Sequence, residues 1–125
     1  VTAAPAVLDA SAALAFLLGE EGATKVERAL EAGATIGAAN WSEVAQKVRA
    51  HGRDWAMARA WLLSYELAIE PVSAVDAERA AEGWASRREL SLGDRLCLAL
   101  GDRLGAEVVT ADRAWGTRRP IRQIR

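Results

Sequence analysis

A chain of 125 residues has room for one compact domain spanning 1–125, and not for a second core. Its 51% apolar and 26% charged content excludes disorder, and sixteen Lys+Arg against seventeen Asp+Glu give a net charge of −1, hence no global basic field. A single cysteine, Cys97, excludes an internal disulfide or a multi-cysteine zinc site, and a single histidine, His51, excludes paired-histidine chemistry.

In chain order, Ala6–Leu8 reads as a short apolar strand and is followed by a helix through Leu18 that Gly19 breaks. Ala23–Glu31 is a second helix closed by Gly33, and Thr35–Ala39 a strand of small residues. Asn40 to about Ala50 is helical and stops at His51-Gly52, where the imidazole suits a helix end. Asp54–Glu66 is the next helix, Leu67–Val72 a strand, and Ser73–Leu90 one long helix. Ser91–Leu104 is helical, Glu107–Thr110 a β-branched strand, Ala111–Trp115 a single turn, and Pro120–Ile124 a last strand. Strands alternating with helices over short connections predict βαβ units, hence an α/β fold: a three-layer α/β/α sandwich with a central, mostly parallel sheet. The apolar run Ala10–Leu18 is half of the ~20 residues that span a bilayer. With Asp9 at its edge and no basic residue before Lys25, it does not read as a secretory signal. A soluble chain in a reducing cytoplasm is the expectation.

Four carboxylates share one kind of position. Asp9 follows Val7-Leu8, Glu43 opens the helix after Thr35–Ala39, Asp94 opens the helix at Ser91, and Asp112 follows Val108–Thr110. In a parallel sheet, ligands bind in the crevice at the carboxyl ends of the strands, where these acids would converge. Carboxylates held close repel unless a cation neutralises them, and hard oxygen donors suit Mg²⁺ or Mn²⁺. The same positions also serve helix caps: Asn40-Trp41-Ser42-Glu43, Ser73-Ala74-Val75-Asp76 and Ser91-Leu92-Gly93-Asp94 all have the form of capping boxes. Position alone does not separate a site from a cap.

The wording around the acids does more. Val7-Leu8-Asp9-Ala10-Ser11-Ala12, Asn40-Trp41-Ser42-Glu43-Val44, the run from Leu90 through Ser91-Leu92-Gly93-Asp94-Arg95 to Leu100, and Val109-Thr110-Ala111-Asp112-Arg113-Ala114-Trp115 occur in this order. Together they resemble PIN-domain ribonucleases, most closely the VapC-type toxins of toxin–antitoxin pairs, over nearly the whole chain. The resemblance implies that Asp9, Glu43, Asp94 and Asp112 are the catalytic acids, with Asp9, Asp94 and Asp112 holding Mg²⁺ or Mn²⁺ and Glu43 orienting water. It implies hydrolysis of RNA, transfer or ribosomal, leaving a 5′-phosphate and a 3′-hydroxyl. It also implies a cognate antitoxin that inhibits the toxin, and a homodimer. Ser11 and Thr110, beside the acids, either bond to them or cap neighbouring helices.

Other residues carry two readings each. Residues 113–125 hold Arg113, Arg118, Arg119, Arg122 and Arg125 and no acid beyond Asp112, which suits either a phosphate-tracking edge or a solvated tail. Arg95 faces substrate phosphate or pairs with an acid. Trp115 packs in the core or stacks on a base, and Cys97, spaced with Leu100 and Leu104, reads as buried. Trp55, Met57, Ala58, Trp61, Leu62 and Tyr65 cover more than one helical face, so part of that helix is left for a partner. A phosphoacceptor receiver domain lacks its late lysine here, since only Lys25 and Lys47 occur. A phosphatase with an Asp-x-Asp pair fails because Ser11 stands at the second position. The remaining alternative to a nuclease is a non-catalytic PIN-like interaction module whose acids only cap helices.

Overall fold

A computed structural model describes residues 5–125; the first four residues of the expected 1–125 domain lie outside the described residues. Five strands form one parallel sheet in the order β3-β2-β1-β4-β5, where β1 is Ala6–Leu8, β2 Ala34–Gly37, β3 Ala68–Glu70, β4 Val108–Thr110 and β5 Ile121–Gln123. The helices are α1 (Ala10–Leu18), α2 (Ala23–Glu31), α3 (Ala38–Ala50), α4 (Trp55–Leu63), α5 (Ala74–Glu82) and α6 (Leu92–Leu104), and a 3-10 turn covers Arg113–Trp115.

The period of two along each strand divides the core between the two faces of the sheet. Leu8, Ile36 and Val109 join the larger apolar cluster with α1–α4. Val7 and Val108, one residue away, enter the smaller cluster with Leu90, Cys97, Leu100 and Trp115. This is the expected three-layer α/β/α sandwich, and every strand pair is parallel. The second face is tight. A Cβ placed on Gly101 would stand 2.4 Å from Val108 Cγ2, so a bare helix surface is what brings α6 down onto β4. Cys97 is fully buried beside the Leu8 carbonyl, as expected, and burial, followed by the charges of Asp9, Asp94 and Glu43, pushes its thiol well up.

Three boundaries differ from the sequence reading. The long helix Ser73–Leu90 is α5 alone, capped by a complete Ser73–Asp76 box and ending at Gly83. Beyond it Arg87 N–H and Ser86 Oγ both bond to the Gly83 carbonyl, and the chain turns as far as Leu90. Glycine's poor helix propensity, ~1 kcal/mol below alanine, makes Gly83 a stop. Second, α3 begins at Ala38 rather than Asn40, so the Asn40–Glu43 capping box does not form; Gly37 is the N-cap and supplies no side chain. Third, β2 and β3 are shorter than Thr35–Ala39 and Leu67–Val72, because Ala38 and Ala39 enter α3 and Pro71 ends the β3 ladder. The smaller trims leave α4 at Trp55–Leu63 with Asp54 as its cap, β4 without Glu107, and β5 without Pro120 and Ile124. His51 sits at the α3 C-cap, its Nδ1 2.8 Å from the Lys47 carbonyl.

The topology turns at β1. From it the chain runs through α1 and α2 to β2 on one side; it returns through α5 and α6 to β4 on the other. Adjacent parallel strands whose crossovers leave toward opposite faces open a crevice at their carboxyl ends. Asp9 follows β1, and Asp112 lies two residues beyond β4. No helix among the described residues is long and apolar enough to cross a membrane.

Candidate active site

Asp9 is the buried member of the set, 3% exposed. Its backbone N–H bonds to Val109 O at 3.1 Å, which holds it in the β1–β4 crevice, and its Oδ1 accepts the Ala12 N–H at 2.8 Å to cap α1. Ser11 Oγ lies 2.8 and 2.9 Å from the two carboxylate oxygens, and Thr110 Oγ1 donates to Oδ2 at 2.5 Å. Ser11 Oγ in turn accepts the Ala111 N–H at 2.9 Å, and Thr110 Oγ1 the Asp112 N–H at 3.0 Å. The two hydroxyls are thus bonded to the acid, and the same short network ties the start of α1 to the end of β4. Burial raises the Asp9 pKa to about 6, against the hydrogen bonds from Thr110, Ala12 and Ser11; the charge of Asp94 adds to the rise.

Asp94 is half-buried in the first turn of α6. Its Oδ2 accepts the Ser91 N–H at 3.1 Å while its own N–H donates to Ser91 Oγ at 3.1 Å, the complete capping box expected there. Oδ1 is left over. Asp112 is exposed and caps the 3-10 turn, Oδ1 accepting the Ala114 N–H at 2.9 Å, again with one oxygen to spare. With Ser11, Ala111, Glu21, Arg113 and Arg125 (itself paired with Glu20) it lines an open cleft of about 570 Å³ beside Asp9's network.

Glu43 stands apart from the other three. With α3 starting at Ala38 it lies in the second turn, where it caps nothing, and its side chain is 34% exposed. It is 3.5 Å from Lys47 Nζ, and its Oε1 lies where a Cβ on Gly93 would come within 3.3 Å. Asn40, buried one helical turn earlier, donates from Nδ2 to the Gly93 carbonyl at 3.3 Å and so ties α3 to the first turn of α6. The sequence reading has Asn40 only as a cap and Gly93 only as part of a box, and misses the bond that joins them.

The charge of Asp94 thus reaches Asp9, the charges of Asp9, Asp94 and Glu43 all reach Cys97, and the Asp112 backbone is linked to Asp9 through Thr110. Among the described residues, however, no three His, Cys, Asp or Glu side chains close into a ready cage for a metal ion. A small hard dication tolerates this. Mg²⁺ is usually held by one or two carboxylates while waters and substrate phosphate complete its shell. A buried carboxylate with an elevated pKa and a second acid nearby fit such an ion.

The readings of Arg95 are corrected, and the core alternative for Trp115 holds. Arg95 turns away from the acids: Nη1 donates to the Ala80 carbonyl at 2.5 Å and its stem packs on Gly83, so it joins α6 to α5 rather than meeting substrate. Trp115 is 3% exposed in the smaller core cluster, which leaves no face for a base.

Three solved structures share the fold. A toxin–antitoxin complex from Klebsiella pneumoniae superposes with a TM-score of 0.72 at 23% identity, covering 96% of this chain and 98% of that one. VapC20 of Mycobacterium tuberculosis, a sarcin–ricin loop cleaving toxin, gives 0.65 at 22% identity over 85% of this chain and 87% of its own. VapBC2 from Rickettsia felis, bound to a DNA fragment from its promoter, gives 0.71 at 14% identity over 94% and 97%. No curated protein sequence matches the chain. The PIN domain model matches residues 6–118, which include all four acid-bearing segments, and the chain belongs to the PIN domain family.

Proposed function

We propose that this chain is a divalent-metal-dependent endoribonuclease, the toxin of a toxin–antitoxin pair. The observation that carries the reading is Asp9: a carboxylate buried at the switch point of a parallel sheet, its pKa raised to about 6 beside a second acid. The rival reading, a non-catalytic module with helix-capping acids, draws support from Asp9, Asp94 and Asp112, which all cap. Glu43 weighs against it, since it caps nothing. Asp76 caps α5 while buried as deeply, but Arg103 pairs with it; Asp9 is buried with no such cation among the described residues, which that view leaves unexplained.

Asp9 and Asp94 would hold Mg²⁺ or Mn²⁺, with the spare oxygen of Asp112 as a further donor. Bound there, the ion would offset phosphate charge and acidify water. Ser11 and Thr110 lock the Asp9 carboxylate in one orientation. Glu43, half-exposed beside Lys47, is the base that would orient and deprotonate the attacking water. In-line displacement then leaves a 5′-phosphate and a 3′-hydroxyl. Arg113 and the other arginines near the cleft counter the repulsion between the acids and an RNA backbone.

RNA as the substrate class, transfer or ribosomal, draws support from the shared fold of VapC20, described as cleaving the sarcin–ricin loop. An antitoxin partner draws support from the toxin–antitoxin neighbours. The groove of about 380 Å³ between α1, α3 and α4, with Met57 72% and Trp61 46% exposed, suits the apolar face of such a partner. We place the toxin in the cytoplasm, as a homodimer. Induction of the chain in cells followed by mapping of RNA 5′ ends is the test. New ends should appear with wild type and vanish in Asp94→Asn, and purified protein should lose cleavage in EDTA and regain it with Mg²⁺ or Mn²⁺. Cleavage that persists in chelator would refute the metal route.

A further inference from the structure

We propose that Trp84, backed by Arg88, is a stacking platform for an unpaired RNA base on the rim of the acid site; this rests on the nuclease reading above. Four of the five tryptophans are accounted for by packing. Trp115 is buried; Trp41 and Trp55 meet edge to face at 5.0 Å between centroids; Trp61 lies against Phe16 at 4.5 Å. Trp84 has no aromatic neighbour among the described residues and is 59% exposed, in the turn that follows α5. One side of its ring carries the Arg88 guanidinium, 5.1 Å from the centroid, so the indole is held by a cation rather than by the core.

Its surroundings choose the ligand. The segment from Gly83 to Leu90 leads directly into the Ser91–Asp94 cap. Arg87 Nη2 donates to the Trp115 carbonyl at 3.5 Å, and Leu90 shares the smaller core cluster with Trp115, so this segment runs beside the 3-10 turn that Asp112 opens. The segment that carries Trp84 and Arg88 thus runs into the Asp94 cap at one end and is bonded to the 3-10 turn that Asp112 opens. Arg88, Arg113, Arg118 and Arg119 are exposed, and among the described residues none has a carboxylate within ion-pair distance. Arg87, in the same segment, is paired with Glu89, and Arg79, Arg103, Arg122 and Arg125 each with another carboxylate. An open indole with an unpaired guanidinium on one side, on a segment bonded to the turn that carries Arg113, complements a single strand of nucleic acid, whose phosphates take the charges while a base takes the ring. Sequence-tolerant stacking of this kind also suits loops with splayed bases.

The test uses the full chain carrying Asp94→Asn, so that RNA is bound and not cut, with fluorescein-labelled oligoadenylate in Mg²⁺ and anisotropy as the readout. Trp84→Ala should raise Kd roughly five- to a hundred-fold, the range for loss of one base–aromatic stack. Trp84→Phe should keep most of the affinity, and Arg88→Gln should lower the slope of log K against log salt by about 0.7. Because the side chain is exposed, melting temperature and circular dichroism should not change, and a variant that binds less while melting normally speaks for stacking. Unchanged Kd in Trp84→Ala overturns the platform. So does a variant whose only defect is in self-association by sedimentation, which would make Trp84 a protein contact. If the parent chain neither binds nor, without Asp94→Asn, cleaves any RNA, the nuclease reading itself fails; cleavage by the parent with no effect of Trp84→Ala removes the platform alone.

Discussion

Replacing Asp9 with Asn should stabilise the metal-free protein at neutral pH, although it alters a side chain with four close hydrogen-bond contacts. The Asp9 pKa stands at about 6 against an ordinary 3.8, because burial outweighs the bonds from Thr110, Ala12 and Ser11. The folded protein thus binds this proton more tightly than the unfolded chain does. Its contribution to stability is fully present below the unfolded value near pH 3.8 and is lost as pH rises through 6. A shift of about two units, at ~1.36 kcal/mol each, amounts to roughly 3 kcal/mol of penalty at pH 7. Asparagine keeps the shape and the Ala12 cap, and the hydroxyls of Ser11 and Thr110 can rotate to suit its amide.

Urea unfolding of both proteins in EDTA, from pH 4 to pH 8, measures the effect. The difference isolates Asp9, because other titrations are common to both. Among them is Asp76, which burial pushes up but which bonds from Arg103 and Ser73 hold below the usual range, so that its contribution is lost in acid. Asp9→Asn should gain up to ~3 kcal/mol over wild type above pH 6, and the gap should close toward pH 4. Mg²⁺ should then stabilise wild type and leave the variant nearly unchanged, since an ion that binds only the folded state adds RT ln(1 + [L]/Kd). A variant less stable than wild type at pH 7 would mean that the carboxylate is a fully compensated cap, and the argument for a cation there would fall.

Gly93→Ala sets helix propensity against site geometry. The new methyl would stand 3.3 Å from Glu43 Oε1, so Glu43 shifts by a few tenths of an ångström; cleavage should fall about tenfold in kcat while the melting temperature holds or rises. Unaltered kcat would remove Glu43 from the reaction. Gly101→Ala drives a methyl into Val108 Cγ2 and should cost ~1–3 kcal/mol in urea unfolding, with a double-mutant cycle against Val108→Ala recovering part of it. Neutralising Arg118 and Arg119 together should flatten the salt dependence of RNA binding by a slope of about 1.4, read by anisotropy across salt concentrations; an unchanged slope makes those arginines bystanders.

The architecture and the line of acids were legible because both depend on local rules. Short apolar runs alternating with helical ones specify a parallel sheet, and Ser73 and Ser91 cap their helices with the acids three residues on. What stayed hidden depends on which way a side chain turns once the layers meet. Arg95 follows Asp94 directly, yet one position around a helix is ~100° of rotation, enough to carry it from the acid site to the α5 carbonyls. Trp115 and Trp84 are both tryptophans beside arginines, and only the packing of Leu90 and Cys97 decides that the first is core and the second is open. The Asn40 box failed for a related reason: two alanines ahead of it have no preference for the strand, so the helix captured them and turned Asn40 inward toward Gly93.

The overlap between helix capping and candidate metal binding is then an economy rather than an ambiguity. A carboxylate has two oxygens and about four lone-pair directions. In Asp94 the cap occupies Oδ2, and in Asp112 it occupies Oδ1, so each helix start holds its acid still while one oxygen remains directed elsewhere. Free side chains gathered round an ion would have to give up rotamer freedom on binding; these have given it up already in the folding of α6 and the 3-10 turn. Asp9 is the extreme case, fixed by a backbone amide and two hydroxyls in a place where its charge is poorly solvated. On the proposed function, two acids on rigid caps beside a buried third should make stability fall without the ion and recover with it. A purely structural set of caps would show no such dependence.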